Sequence, residues 1–433
     1  MRAALLSRYR VSTSYPAACL SLRIEDNDDG VLPDRRRMRY SALHCVLVVT
    51  ALAACNSALN SVTPGSVAST SFAPTAAARG LWPRPGPAMR LCAAVHPGFA
   101  RCQAWVRTDI AGKMPDEMPN GYAPSDLQAA YNLASFSRSR GGGATVAIVD
   151  AFDDPNAASD LSVYRAEYGL PPCTASNGCF TKYQFTEKTN TGWAGEESLD
   201  VDMVSAICPN CKILLVEAAS PSTRALSAAE TYATARAKYV SNSWSGNEGG
   251  KAYDRDYNVS GVAITAATGD SGYNADAQWP AILPWVVGVG GTDLTSISPR
   301  SESAWAGSGS GCSTIYATPR FQHGIDTGCA DRAQSDVAAD ASPNTGVAVY
   351  DSFHQRGWEV FGGTSVATPI VAAVFALAGR ASSNNSGNLY AHSSSLNDIT
   401  TGNNGNCGPP LCEAGVGWDG PTGLGSPNGI AAF

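Results

Sequence analysis

Histidine is scarce in this chain: five in 433 residues, His44, His96, His323, His354 and His392. None is followed by Gly-Thr-His or a similar string, the context in which one class of serine hydrolases keeps its imidazole base. Charge is low as well, at 15% of residues, with a formal net charge of −7. The first 54 residues hold eight Arg and five acids, so the remainder carries 22 basic and 32 acidic side chains, net −10. An acidic surface without a basic stripe excludes nucleic acid as a partner. No apolar run is long enough to span a bilayer; the best, Ala42 to Leu52, is far too short. The pair in Cys208-Pro209-Asn210-Cys211 has no second ligand pair to make a zinc site. It closes an expected helix rather than opening one, which argues against a redox site.

What is present suits one large globular domain or two ordinary ones. Residues 1–55 read as a leader. Met38-Arg39-Tyr40 begins a short positive region, and Ala42 to Leu52 reads as the core of a signal peptide, with residues 1–37 an extension upstream of a start at Met38. Leu52-Ala53-Ala54-Cys55 resembles a bacterial lipobox, which would acylate Cys55 and anchor the protein to the envelope; the alternative is an ordinary cleavage site near Ala54. Residues 56–120 form a Ser/Thr/Pro/Ala-rich tether followed by a short Cys-containing lead-in. Roughly sixty residues between Cys55 and the regular pattern are too few for an ordinary separate domain. Beyond the leader stand ten cysteines in near neighbours: 92 with 102, 173 with 179, 208 with 211, 312 with 329, and 407 with 412. An even number in an exported chain favours disulfides, and local pairing is the simplest connectivity, though sequence alone does not fix it. Each small loop would stabilise the fold by about 2–3 kcal/mol, less strain.

From Tyr122 apolar strand runs alternate with helical patterns. Ala144 to Asp150, Lys212 to Glu217, Tyr239 to Ser243, Val262 to Ala267 and Trp285 to Val289 read as strands. Asn156 to Tyr168, Gly195 to Ile207, Thr223 to Lys238 and Val366 to Ala378 read as helices. The alternation predicts an α/β fold, a mainly parallel central sheet with helices on both faces. A site would then be built at the carboxyl ends of the strands.

Three short strings carry chemistry. Phe361-Gly362-Gly363-Thr364-Ser365-Val366-Ala367-Thr368-Pro369 places Ser365 at a helix start, where the helix end favours negative charge and glycines admit a substrate backbone. In Gly195-Glu196-Glu197-Ser198-Leu199-Asp200 the i, i+4 spacing puts Glu196 and Asp200 on one helical face, close enough to hydrogen-bond and to share a proton. Thr268-Gly269-Asp270-Ser271-Gly272 supplies a third carboxyl after a strand. Each string has a bland reading: a Ser N-cap, an acidic helix start, a turn Asp. Together they offer a nucleophile, a carboxylate base with an acid behind it, and an oxyanion donor.

With Ser243-Trp244, Val289-Gly290-Gly291-Thr292 and Gly415-Val416-Gly417-Trp418-Asp419 in the same order, the chain from about Tyr122 to its end resembles the sedolisins, serine-carboxyl peptidases of subtilisin-like fold. The resemblance implies that Ser365 attacks a peptide carbonyl, that Glu196 accepts its proton, that Asp200 orients Glu196, and that protonated Asp270 donates to the oxyanion. Glu197 is the rival base. Asp150 would extend the carboxyl network or cap a loop, and Trp244 would line the substrate groove or fill the core. The resemblance further implies one calcium site, with side chains from Asp398 and Asp419 and carbonyls from Ile399, Gly415 and Gly417. Residues 121–433 would form the peptidase domain that ends in this loop.

The expectation is an exported, monomeric endopeptidase, extracellular or lipid-anchored, that hydrolyses protein or peptide substrates at acid pH. The alternative is a catalytically silent, surface-tethered binding protein on the same scaffold, suggested by the lipobox-like string and the short stretch ahead of the domain.

Overall fold

Parallel strands and covering helices dominate the computed structural model, which describes residues 86–94, 96–110, 119–249, 251–353 and 357–433. The leader, the lipobox-like Cys55 and the tether up to residue 85 lie outside the described residues. All described residues belong to one unit, Ala76–Phe433. Among them no helix is long and apolar enough to cross a membrane.

The central sheet has eight strands. Thr145–Ala151 lies between Lys212–Ala218 and Tyr239–Asn242, both parallel to it. Phe180–Gln184 extends one side, and Ala263–Ala267, Val287–Ile297 and Val337–Asp340 extend the other, all parallel. Only Arg300–Ala304 runs antiparallel, against Val287–Ile297. The strand expected to close at Val289 runs on to Ile297, because its second half is paired by Arg300–Ala304.

Strand periodicity sorts the central side chains into two cores. Val146, Ile148, Ile213 and Leu215 point into one core with Leu199 and Met203 of helix Thr191–Ile207 and Ile370 and Val374 of helix Thr364–Ala378. Ala147, Val149, Leu214 and Val216 point into the other, against Leu226, Ala229 and Ala233 of helix Thr223–Thr234. The same parity puts Asp150 and Glu217, paired in register at the carboxyl ends of their strands, on the face of the first core. Helix Thr191–Ile207 lies there, with Asn190 capping it by accepting from the Gly192 and Trp193 N–H groups. This helix is buried along almost its whole length, acids included. All five expected cysteine pairs are closed as disulfides.

One boundary differs from the sequence reading. The lead-in is woven into the body of the fold rather than standing ahead of it. Trp105–Arg107 pairs with Gly357–Gly362 and with Ala88–Arg90, and Arg101–Cys102 pairs with Trp244–Asn247. Three-residue strands carry little periodicity, so their partners are invisible until the chain is folded.

Candidate active site

Helix Thr364–Ala378 opens beneath a glycine whose φ of +105° is open to glycine but strained for other residues. Space forbids a side chain there too: a Cβ on Gly363 would fall 2.0 Å from the Gln103 carbonyl oxygen and 2.8 Å from Asp270 Oδ2. Gly363 therefore lets two polar groups converge beside Ser365. The Ser365 hydroxyl is buried and donates to the Ser243 carbonyl at 2.9 Å.

Helix Thr191–Ile207 brings its acids to the same place. Glu196 is fully buried, and burial raises its pKa well above the usual carboxylate range; Asp200 and Asp150 add to the rise, while the neighbouring Ser365 hydroxyl opposes it. Asp200 is raised by burial and by Asp150, opposed by the Ser243 hydroxyl, which donates to Asp200 Oδ1 at 2.7 Å. The expected hydrogen bond between Glu196 and Asp200 is not drawn directly. Both Glu196 oxygens and Asp200 Oδ2 are buried without a hydrogen-bond partner. Carboxylates cannot donate to each other, so such faces are satisfied only when a proton is held between them. Glu197 turns elsewhere: after burial, its pKa is raised chiefly by Glu217, then Asp150 and Asp154. Glu217 itself is raised to about 7 by burial, although Lys182 contacts it at 2.9 Å. Asp150 lies between the two groups, its pKa raised by burial and by Glu217. Glu217, not singled out from the sequence, ends a strand on the parity of Ile213 and Leu215; that parity was the available signal.

Asp270 follows strand Ala263–Ala267 and meets the start of helix Thr364–Ala378. Its Oδ1 accepts from the Thr364 N–H and hydroxyl, both at 2.8 Å. Its Oδ2 is buried without a hydrogen-bond partner. Burial raises Asp270 to about 6, against opposition from Thr364 and Arg90. Arg90 approaches Oδ2 at 4.0 Å and donates to the Asp270 carbonyl at 2.5 Å. A carboxyl raised this far can carry a proton toward an oxyanion in mild acid.

The expected groove contact through Trp244 is corrected. Its indole is fully buried, donates to the Val149 carbonyl at 2.8 Å and packs on Trp279 in the second core. A pleated strand sends alternate side chains to opposite faces. The tryptophan points into the core.

At the C-terminal loop, Asp398 accepts from the Gly417 N–H at 3.1 Å and Asp419 accepts from the Gly415 N–H at 3.2 Å. Asp419 is buried and raised to about 7, by burial first, with Asp398 adding to the rise. Among the described residues no group of three or more His, Cys, Asp or Glu side chains is gathered for a metal. Two facing carboxylates on a glycine loop nevertheless suit a hard cation that draws its remaining ligands from backbone oxygens.

Comparison with known proteins bears on this geometry. Residues 185–401 match the sequence profile of the Subtilase family, peptidase S8. Kumamolisin of Bacillus sp. (strain MN-32) is 31% identical over 360 residues, covering 72% of this chain and 63% of its own. Sedolisin of Pseudomonas sp. (strain 101) is 33% identical over 176 residues, 36% of this chain and 29% of its own. The solved structure of Pseudomonas sedolisin, a serine-carboxyl proteinase complexed with two molecules of pseudo-iodotyrostatin, superimposes with a TM-score of 0.61 at 22% identity, covering 72% of this chain and 96% of that one. The chain thus spans less than two thirds of the length of these two relatives by sequence, and the structural likeness speaks for the fold.

Proposed function

This chain belongs to the subtilase family, in its sedolisin branch, and on that premise we propose that it is an exported serine-type endopeptidase that hydrolyses peptide bonds in acid. The observation that carries the reading is the meeting of Ser365 with two kinds of buried acid, Glu196 backed by Asp200 and Asp270 with an unpartnered oxygen. Ser365 adds to the carbonyl carbon. Glu196 takes the hydroxyl proton and returns it to the leaving amine. Asp200, fixed by Ser243, keeps the proton count of the pair at one. The Ser365 N–H and protonated Asp270 face the developing oxyanion, and such a donor is worth about 3–4 kcal/mol to the transition state.

The silent-scaffold alternative gives no reason to bury so many acids against one another, since each costs stability near neutral pH. We assign calcium to Asp398 and Asp419 with carbonyls of Ile399, Gly415 and Gly417. The ion would neutralise the two acids and hold the loop that the 407–412 disulfide clips. Its role is structural and no step of the reaction passes through it. Export, and lipid anchoring at Cys55, rest on the leader sequence. The experiment is hydrolysis of a peptide library from pH 2 to 8 by wild type and Ser365→Ala. Activity that survives in the variant, or that peaks only above neutrality, would refute the reading.

A further inference from the structure

One cation reaches the buried acids from the solvent side. Lys182 lies on the edge strand Phe180–Gln184, in register with Leu215 of Lys212–Ala218. Phe180 and Leu215 both point into the first core, and strand parity sends the Lys182 side chain to that same face. There its ammonium donates to Glu217 Oε1 at 2.9 Å, to Asp153 Oδ1 at 2.5 Å and to the Asp154 carbonyl at 2.6 Å. The side chain keeps 21% exposure, so it runs from solvent to the cluster. Burial works against its charge, but Asp153 and Glu217 outweigh burial and raise its pKa. Among the described residues no other Lys or Arg forms an ion pair with Glu217, and none pairs with Glu197, Asp150, Asp200 or Glu196.

Behind the ammonium the acids form a row. Glu217 Oε1 also accepts from the Asp154 N–H at 3.1 Å, while Glu217 Oε2 and both Asp150 oxygens are buried without a hydrogen-bond partner. Glu197, on helix Thr191–Ile207, faces Glu217, Asp150 and Asp154. Ser198 of the same helix donates to Asp154 Oδ2 at 3.5 Å. Burial raises Asp154 to about 6, with Asp160 of helix Ala157–Glu167 adding to the rise and Lys182 opposing it. At the inner end Asp150 bears on Asp200 and Glu196, and Asp270 adds a smaller rise at Glu196. The row thus has a cation at its outer end and the Glu196–Asp200 pair at its inner end.

We propose that Lys182 is a positioning residue for peptide hydrolysis: its ammonium, at the outer end of this row, keeps the Glu196–Asp200 pair from taking up a second proton in acid. The proposal rests on the peptidase reading and adds what sets the lower pH limit of that chemistry. Glu196 can accept the Ser365 proton only while the pair holds one proton; with two, neither carboxyl is free to act as the base. A positive charge nearby favours the singly protonated, negative form of the pair. Glu217 does not cancel that charge in acid, because a midpoint of about 7 leaves it neutral there. Asp153 cancels part of it from the solvent side. The same three contacts also fasten the edge strand to the end of strand Thr145–Ala151. A fastening works through hydrogen bonds and the proposed role works through charge, so substitution separates the two.

The test measures kcat/KM on a quenched fluorescent peptide from pH 2 to 7, with melting curves alongside, for the full chain as wild type, Lys182→Gln, Lys182→Arg and Asp153→Asn. Gln keeps hydrogen-bond donors and loses the charge; Arg keeps both. Asn at 153 keeps an acceptor for the ammonium and removes the charge that offsets it. The acid limb of the profile should move up by about half a pH unit in Lys182→Gln, roughly a three-fold loss of kcat/KM below the limb. It should stay in place in Lys182→Arg and move down in Asp153→Asn. A limb unmoved by Lys182→Gln and Asp153→Asn, even with a lowered Tm, would overturn the proposal and leave the peptidase reading intact. A limb moved equally by Gln and Arg would overturn it as well, since charge would not be the cause. No hydrolysis by the wild type at any pH would remove proposal and reading together. Asp153 lies at the surface, so Asp153→Asn decides the matter even if Lys182→Gln folds poorly.

Discussion

Asp270 offers the sharpest prediction, through Asp270→Asn. The proposed donor works only when protonated. Burial sets its midpoint at about 6, against an ordinary 3.8. With that midpoint about half of the molecules carry the proton at pH 6 and about one in a hundred at pH 8, a fall of roughly fifty-fold. An aspartate of ordinary midpoint would already have lost it by pH 6. The amide of Asn keeps an N–H donor at every pH and cannot ionise, although its other end must still accept from the Thr364 N–H and hydroxyl, as Oδ1 does now. The variant should therefore lose up to about a hundred-fold in kcat/KM at pH 4 to 5 through weaker donation. It should also lose the alkaline limb that Asp270 imposes on the wild type. The assay is kcat/KM on a quenched fluorescent peptide from pH 3 to 8, which reports groups of the free enzyme. An alkaline midpoint unchanged by Asp270→Asn, or a wild-type profile flat from pH 5 to 8, would refute the assignment.

Further outcomes follow from the same geometry. Burial raises Glu196, Glu197, Asp200 and Asp150 above their unfolded values. The folded state therefore binds more protons than the unfolded chain above about pH 4. Stability, full below that, is lost as pH climbs toward the raised values, by about 1.4 kcal/mol per pH unit for each such acid. Calorimetry on Ser365→Ala should find a higher Tm at pH 4 than at pH 8; the reverse order would show that the folded cluster holds no extra protons. Asp398→Ala, or a chelator on the wild type, should lower Tm, and a melting curve unmoved by both would dismiss calcium. Gly363→Ala should cost about 1–3 kcal/mol of backbone strain plus the clash with the Gln103 carbonyl. A denaturation midpoint equal to wild type would show that the turn can relax.

Much of this protein was legible in its residues. Strand and helix periodicity fixed a parallel α/β fold, because a two-residue and a 3.6-residue repeat leave different apolar patterns. The strings around Ser365, Glu196 and Asp270 named the chemical groups, since each is local and its spacing survives in one dimension. Local pairing was the simplest connectivity for the near-neighbour cysteines, and the fold closes all five pairs. Other features needed the third dimension. Trp244 stood beside a motif serine and could line a groove or fill the core; only the packing of its indole on Trp279 decided for the core. Glu197 stood as a rival to Glu196, and packing sets Glu196 beside Ser365 and Glu197 beside Glu217. Glu217 joined the acid cluster through sheet register, a long-range pairing with no trace in local sequence. Arg101 to Trp105 read only as part of a short Cys-containing lead-in, because a single strand with no partner has no recognisable pattern. Only the fold supplied its partners, Ser245 and Trp244 on one side and the Ser365 N–H on the other.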